Sequence, residues 1–366
     1  MKHLLLFTFS FLFVAILSAQ KVKTFSVTSL NGNIVLHVEA GNKIEWSVQQ
    51  KGQQIIMPSA LSLQLQNEAL GNNAIITSSK TEKVSNIIHA INYIKDTIHD
   101  EYNQLTLNCK DDYGVIFRVY NDAVAYRFFT KKKDSIIIRN EEANFNFADD
   151  DKAFIPIQWD YRDGKIFNSS FEALYREIHR SGFPKDSLAF LPLLVDVGQG
   201  KKVAILEADL EDYPGMYLNL NETQKGFKAV YAPYPMAAHI VHINYVPTER
   251  ADYIAKTNGT RSFPWRVIFI SEQDKDLLNC DIVQKLASPP RLTDYSWVKP
   301  GQVAWDWWNN WNITGVDFKA GINVDTYKYY IDFAAANKLS YIIIDEGWSD
   351  DLDLLKIIWF QSSGNN

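Results

Sequence analysis

The residues best suited to chemistry begin with a carboxylate pair near the carboxyl end of the sequence. Asp345-Glu346-Gly347-Trp348 directly follows the apolar run 341–344. Carboxylates at the tip of a strand can bind sugar hydroxyls or act as a general acid or base, and a tryptophan ring offers a stacking face. A loop in which Asp345 simply caps the next helix is the structural alternative.

A second cluster packs four tryptophans into seven residues, from Trp305 to Trp311, around Asp306. On a strand, Trp305 and Trp307 would share one face, with Asp306 on the other. Most of the chain's aromatic residues are expected to fill a core. The polar neighbours of this cluster instead predict a platform for a sugar at the mouth of a pocket. The predicted substrate-binding residues are Trp305, Trp307, Asp345, Glu346 and Trp348, and Glu346 is the in-chain candidate for a catalytic group.

An acidic run at 207–212 follows a short predicted strand at 202–206 and precedes the turn Tyr213-Pro214-Gly215-Met216. Carboxylate oxygens of this kind suit Ca²⁺. The run lacks the spacing of an EF-hand loop, so any ion would be shared with residues distant in sequence. A solvated acidic turn is the alternative.

The elements that must position these residues change character along the chain. Short strands separated by polar turns fill 20–288 and predict a β-sandwich, interrupted by one short helix at 169–178 that has a capping-box start. Residues 289–300 are predicted to be a linker. From 301 to 366 the pattern is βαβ, with strands at 302–308 and 341–344 and a helix at 325–337. A right-handed crossover would make the strands parallel neighbours, as at the start of a (β/α)₈ barrel.

Composition narrows the class of protein. The 366 residues carry a formal net charge of −6 without a basic stripe, which argues against a nucleic-acid partner. A charged start, an apolar run and small residues at 18–19 predict a signal peptide over 1–19, hence a periplasmic or otherwise exported protein with no membrane association after cleavage. Cys109 and Cys280 could pair in an oxidising compartment or remain free thiols.

Taken together, these motifs resemble glycoside hydrolase family 97, over nearly the whole mature chain. The resemblance implies an amino-terminal β-super-sandwich followed by a (β/α)₈ catalytic barrel, and exo-acting α-glucosidase or α-galactosidase activity on an oligosaccharide with Ca²⁺ at the active site. It also implies that Glu207 is a calcium ligand. The 66 residues from 301 to 366 would form only the first two βα units of a barrel that needs about 200. The catalytic carboxylates are therefore expected beyond residue 366, and the chain is expected to be an inactive fragment.

Two other functions stay open at this point. One is a non-catalytic carbohydrate-binding sandwich, for which the βαβ segment would have no purpose. The other is a sugar mutarotase or epimerase, whose acid and base groups would be His239 or His242.

Overall fold

The computed structural model describes residues 22–158, 166–168, 171–241, 244–350 and 352–357. The predicted signal peptide and His242 lie outside the described residues. The chain divides into two compact units, one made of 22–86, 100–233 and 252–286 and the other of 87–99, 234–251 and 287–366. The predicted boundaries at 288 and 300 stay a prediction.

The described residues are mostly β-structure with three short to medium α-helices. The strands in chain order are β1 Lys23–Thr28, β2 Ile34–Ala40, β3 Ile44–Gln50, β4 Gln53–Leu65, β5 Ala69–Leu70, β6 Ile76–His89, β7 Thr97–Cys109, β8 Tyr113–Val119, β9 Ala123–Lys131, β10 Ile136–Asn146, β11 Lys152–Ile155, β12 Arg176–His179, β13 Leu193–Asp196, β14 Lys202–Ala208, β15 Met216–Leu220, β16 Gly226–Tyr231, β17 Pro235–Val241, β18 Asn244–Arg250, β19 Ala255–Thr257, β20 Thr260–Ser262, β21 Trp265–Ser271, β22 Val303–Trp305, β23 Tyr341–Ile343, β24 Ser349–Asp350 and β25 Asp353–Ile357. The helices are α1 Asp274–Leu277, α2 Ile282–Leu286 and α3 Val324–Ala336.

The first unit is built on two antiparallel sheets. One runs β1-β2-β3-β4-β10-β16-β15, with β5 and β19 at its side. The other runs β12-β11-β13-β14-β21-β9-β8-β7-β6, with β20 paired to β9. The main core consists of apolar side chains from both sheets, among them Trp46, Phe117, Phe145 and Phe227. The predicted β-sandwich is therefore confirmed.

Strand composition explains which faces are covered. In β2 and β3 buried residues alternate with more exposed ones, as expected when one face of a strand packs on a core. In β21 all seven residues are buried. Its outer face belongs to a second apolar cluster, where Trp265, Val267 and Phe269 pack with Ile282 and Leu286 of α2. Burying both faces of β21 fixes this strand at the centre of the unit.

The helix predicted at 169–178 is wrong. Residues 169–170 lie outside the described residues, 171–175 have no regular structure, and β12 follows. In β12, Arg176–His179 pairs antiparallel with Lys152–Ile155 of β11. Strand β11, more than twenty residues earlier in the chain, supplies backbone hydrogen bonds in place of those of the helix. This pairing outweighs the local capping signal.

The second unit contains the predicted βαβ segment. Strands β22 and β23 are parallel neighbours, with Val303 opposite Tyr341 and Trp305 opposite Ile343, and α3 connects them. The first strand is shorter than predicted, because the chain enters a 3₁₀ turn at Asp306–Asn309. After β23 the described residues form the small antiparallel hairpin β24–β25 and no further helix. Among the described residues no helix is both long and apolar enough to cross a membrane.

Both cysteines are free thiols. Cys109 is buried and Cys280 is half-buried. Burial raises the pKa of each thiol to about 11. Neither is therefore a reactive thiolate at neutral pH.

Candidate active site

The candidate site is formed where β22 and β23 end. Because the strands are parallel, their carboxyl ends meet at one edge, which places the chain after Trp305 next to the chain after Ile343. Helix α3 returns the chain between them and starts at an N-cap in which the Asn323 side chain accepts from the Thr326 backbone N–H, at 3.0 Å.

Asp306 organises this edge from a buried position. Its side chain is fully buried and accepts a hydrogen bond from Trp311 Nε1 at 3.1 Å. The backbone N–H of Asp345 points to both carboxylate oxygens, at 3.3 Å each. A buried carboxylate with these donors ties the loops after the two strands together.

Asp345 is held by the other strand. Trp305 Nε1 donates to Asp345 Oδ2 at 2.7 Å, and the backbone N–H of Glu346 donates to Asp345 Oδ1 at 2.7 Å. These contacts fix the Asp345 carboxylate. Glu346, the next residue, is exposed. Asp345 is therefore a positioned acceptor, while Glu346 offers the accessible carboxylate.

The tryptophans do not alternate across a strand as predicted, because the strand ends at Trp305. The 3₁₀ turn instead pairs Trp305 with Trp308, with ring centroids 6.1 Å apart, and Trp307 with Trp311, at 4.5 Å. Trp307 is 47% exposed and Trp308 82% exposed. Large aromatic faces therefore stand in solvent at the strand ends, where a sugar ring can stack.

Trp348 follows a turn that requires glycine. Gly347 has φ +98°, and a Cβ there would lie 2.6 Å from Ile322 Cδ1. Trp348 itself is half-buried. The structure thus places Trp305 at the end of β22, and Trp307, Asp345, Glu346 and Trp348 in the loops after β22 and β23.

Sequence reasoning missed part of this site. A cavity of about 460 Å³ beside β22 and α3 is lined by Trp305, Trp308, Asn309, Tyr330, Phe333 and neighbouring aliphatic residues. Tyr330 donates from its hydroxyl to Asn309 Oδ1 at 2.7 Å, and burial raises the pKa of this tyrosine. The helical periodicity assigned Tyr330 to an apolar face. The one sequence signal for the Tyr330–Asn309 hydrogen bond is the amide of Asn309 in the strand-end loop. It did not indicate Tyr330, because 21 residues separate the two.

Glu207 belongs to the first unit and has a different environment. It lies in β14 opposite Arg266 of β21, and Arg266 Nη1 donates to Glu207 Oε2 at 2.7 Å. The backbone N–H of Met216 lies 3.1 Å from each carboxylate oxygen. Burial raises the pKa of Glu207, and the charge of Arg266 opposes that shift. The carboxylate is thus desolvated but paired.

The sequence resemblance implies a calcium ion. The described residues supply only some of the oxygen ligands that this ion requires. Ca²⁺ takes 6–8 oxygens. In the described part of the chain, no three His, Cys, Asp or Glu side chains are grouped to hold a metal ion. Glu207 can supply one oxygen, because among the described donors Oε1 accepts from the shared Met216 N–H alone, and the side chain is 16% exposed. The described residues alone do not form a calcium site.

The mutarotase alternative assigns its acid and base groups to His239 or His242, and it stays a hypothesis. His239 lies in β17 of the exposed β17–β18 hairpin, and His242 lies outside the described residues.

Comparison with protein families identifies the chain. The family described as "Glycosyl-hydrolase 97 N-terminal" matches residues 27–289, and "Glycoside hydrolase 97" matches residues 307–361. The chain belongs to glycoside hydrolase family 97. The first match covers the sandwich from residue 27 onward, and the second covers the tryptophan cluster from Trp307, α3 and the carboxylates after β23.

Relatives within family 97 agree with this placement. A retaining α-galactosidase from Bacteroides thetaiotaomicron is 40% identical over 352 residues, which are 93% of this chain and 53% of that protein. A family 97 enzyme from Pseudoalteromonas sp. strain K8, solved with acarbose, superposes with a TM-score of 0.74 at 26% identity, over 88% of this chain and 47% of the other. A variant family 97 enzyme from that strain, solved with panose, gives 0.72 at 26% identity, over 87% and 46%. The chain spans about half the length of these relatives.

Proposed function

We propose that this family 97 chain is the β-super-sandwich and the beginning of the (β/α)₈ catalytic barrel of an exported, exo-acting α-glycoside hydrolase. The observation that carries the proposal is the parallel β22–α3–β23 unit, which gathers aromatic rings and carboxylates at the carboxyl ends of both strands. Barrel enzymes place their sites at that edge. The signal peptide that export requires is assigned to residues 1–19.

The substrate is an oligosaccharide with a terminal α-linked sugar. The 40% identity to a retaining α-galactosidase favours α-galactosides over α-glucosides. The exposed faces of Trp307 and Trp308 are suited to stacking on the sugar, while Asp345 and Glu346 are suited to accepting hydrogen bonds from its hydroxyls. Asp345 is preorganised for this role, because Trp305 already fixes its carboxylate.

The described carboxylates at the strand ends do not by themselves supply a catalytic pair. A retaining glycosidase needs two carboxyl groups about 5–5.5 Å apart on opposite sides of the scissile bond. Asp306 is buried and engaged by Trp311, and Asp345 and Glu346 are adjacent in the chain. Glu346 remains the candidate within this chain. Glu207 contributes one ligand to a Ca²⁺ ion whose other ligands lie outside the described residues.

The first prediction is that this chain binds α-galactosides weakly and does not hydrolyse them. Tryptophan fluorescence should change saturably on titration with melibiose, and Trp307→Ala should weaken binding by roughly fivefold, since an aromatic–sugar contact contributes about 1 kcal/mol. Incubation with p-nitrophenyl α-galactoside and α-glucoside in the presence of Ca²⁺ should release no p-nitrophenol above a blank.

Trp297→Ala is the matched control, because Trp297 is also solvent-exposed, at 71%, but lies in the segment before β22. A titration that does not saturate, or one equally weakened by both substitutions, would argue against the strand-end site. Turnover that persists through purification and disappears in Glu346→Gln would instead make Glu346 catalytic.

A further inference from the structure

A polar cavity of about 330 Å³ lies in the first unit, at the end of β21. It is bordered by the end of β3, by the turn between β8 and β9, and by the chain that leaves β21 and passes through α1 to Asn279. All of these residues belong to the first unit. The volume falls within the range of sites that bind small ligands.

This cavity is separate from the surroundings of Glu207. Strands β14 and β21 run antiparallel, with Glu207 opposite Arg266 and Lys202 opposite Ser271. The stretch of β21 from Arg266 to Ser271 spans roughly 17 Å, at about 3.3 Å per residue. The cavity lies at the Ser271 end of this stretch, and none of its residues has a part in the proposed hydrolysis.

A buried amide beside the cavity has an unused oxygen. Gln50, the last residue of β3, is 2% exposed and borders the cavity. Its Nε2 donates to Glu272 Oε1 at 3.3 Å, whereas its Oε1 accepts no hydrogen bond from the described residues. Lys51 Nζ lies 2.7 Å from the same Glu272 oxygen and holds that carboxylate in place. A buried carbonyl oxygen without a donor is costly, and a ligand in the cavity can supply the donor.

The rest of the polar lining combines acceptors with donors. Asp122, Glu272 and Asp276 contribute carboxylates, and Asn121 and Asn279 contribute amides. A hydroxyl group both donates and accepts, so it can bond to a carboxylate and to an amide N–H at once. A metal ion needs oxygen ligands alone, and the described acidic side chains are not grouped to hold one. The mixture therefore matches a ligand that carries several hydroxyl groups.

The remaining lining favours a ligand without charge. Phe269 and Ile270 of β21 give the cavity an apolar part, on which the C–H groups of a sugar ring can pack. Lys51 engages Glu272, and the Gln273 backbone N–H donates to Asp276 Oδ2 at 3.1 Å. The carboxylates still outnumber the nearby cations, so an anionic ligand would be repelled.

We propose that this cavity is a second carbohydrate-binding site, which takes one neutral sugar unit. Gln50 Oε1 and the carboxylates accept hydrogen bonds from the hydroxyls of the sugar. Asn121 donates from its amide nitrogen, because its Oδ1 already accepts from the Asn31 backbone N–H at 2.9 Å. A glycan bound here is held on the sandwich and is not hydrolysed. The competing explanation is a crevice that holds only water.

Selective ¹⁵N-glutamine labelling allows a direct test. Gln50 and Gln273 both border the cavity, whereas Gln104 in β7 does not. Titration with methyl α-galactoside should shift the backbone amide resonances of Gln50 and Gln273 saturably and leave that of Gln104 in place. The dissociation constant should be on the order of 1 mM, as expected for a small ligand held by few groups. Gln302, two residues before Ala304 of β22, reports on the strand-end site in the same spectrum.

Asn279→Ala and Gln50→Leu test the lining itself. Each should weaken binding by roughly fivefold, the loss expected for one hydrogen bond. Asn279 is exposed, so its variant keeps the test decisive should Gln50→Leu fail to fold. Asn108→Ala is the matched control, because Asn108 donates to Ser78 Oγ at 3.2 Å and does not border the cavity. Methyl α-galactosiduronate, which carries a negative charge, should bind at least roughly tenfold more weakly than methyl α-galactoside.

The outcomes separate this site from the proposed function. Shifts at Gln50 and Gln273 that do not saturate, or an affinity that Asn279→Ala and Asn108→Ala change alike, would leave a crevice that holds only water. Binding of galactosamine without binding of methyl α-galactoside would also overturn the proposal, because the cavity would then select a cation. If these two amides stay unmoved while tryptophan fluorescence still responds to melibiose, this site fails and the strand-end site stands. The opposite pair of results would leave this site standing alone.

Discussion

Among the carboxylates of this chain, the surroundings of each side chain decide its role. Asp306 is buried and engaged by Trp311, and Asp345 is held by Trp305, so both shape the strand-end loops. Glu346 is exposed beside them. Glu207 is paired yet keeps an open oxygen. Of these four, Asp306 is fully buried, and the other three are the ones for which we propose contact with a ligand.

Asp151 is a residue whose charge works against the fold. It is half-buried before β11, and burial together with the nearby charges of Asp149, Asp196 and Asp150 raises its pKa from 3.8 to about 6, although Arg180 opposes the shift. A carboxyl group with a raised pKa binds its proton more tightly in the folded chain. The free energy of unfolding should therefore fall as pH rises from about 4 to about 6, and level off above that.

Asp151→Asn should remove this loss. A pKa shift of this size corresponds to about 3 kcal/mol, and solvent screening of the half-buried Asp151 reduces the effect. The variant should therefore be about 1 kcal/mol more stable than the parent at pH 7 and differ little from it at pH 4. Urea unfolding of parent and variant at pH 4, 5, 6 and 7 measures it. Asp134→Asn, in an exposed turn, is the control. A gain that is the same at all four pH values would contradict the titration argument.

At the scale of elements, β16 joins the edge strand β15 to the rest of its sheet. It pairs with β10 at Gly226 opposite Asn146 and with β15 at Tyr231 opposite Met216. Through β15 it supports the Met216 amide that holds Glu207. The pairing of β16 therefore links sheet assembly to the proposed ligand.

Gly226 allows the close approach of β16 to β10. A Cβ there would lie 2.2 Å from the Phe145 carbonyl oxygen and 2.6 Å from Asn146 Cα, both backbone atoms. Gly226→Ala should lower the free energy of unfolding by about 3 kcal/mol, because the strands must move apart. Gly182→Ala is the matched control, since no atom lies within 4 Å of its Cβ position. Equal urea midpoints for the two variants would show that β16 can shift without cost.

For the molecule as a whole, the segment between α2 and β22 is open to cleavage. Residues 287–302 contain neither helix nor strand, and nearly all of them are exposed. Backbone of this kind fits readily into a protease site. The segment includes Arg291 and Lys299, and the bond after Arg291 is a ready trypsin site.

Brief trypsin digestion should cut there first and leave a stable fragment that ends near residue 291. We expect its sandwich core to fold independently of the residues that follow, because the members of that core all lie before residue 287. Mass spectrometry identifies the fragment, and the double variant Arg291→Gln, Lys299→Gln should resist cleavage in this segment. Early cuts within β-strands of the sandwich would contradict the independence of its core.

Much of this architecture could be predicted from the sequence, because the controlling signals are local. Alternating apolar residues in β2 and β3 reflect the one face of each strand that is covered. The apolar run of β23 and the periodicity of α3 predict the type of each element, although Tyr341, Ile343 and Ile331 are exposed in this chain. The same reasoning placed polar and aromatic residues where β22 and β23 end. These predictions were confirmed to within a few residues, apart from the early end of β22.

The tertiary structure decided what depends on distant partners. The last residues of the predicted helix at 169–178 instead pair with β11 as part of strand β12. The bonds that define the sites join residues far apart in the chain: 40 positions between Trp305 and Asp345, 59 between Glu207 and Arg266, and 125 between Glu141 and Arg266. Local sequence records the type of each side chain and the face it occupies. Which carboxylate meets which donor is decided only when the sheets pack, because a buried charge is stable only beside a partner that folding brings to it.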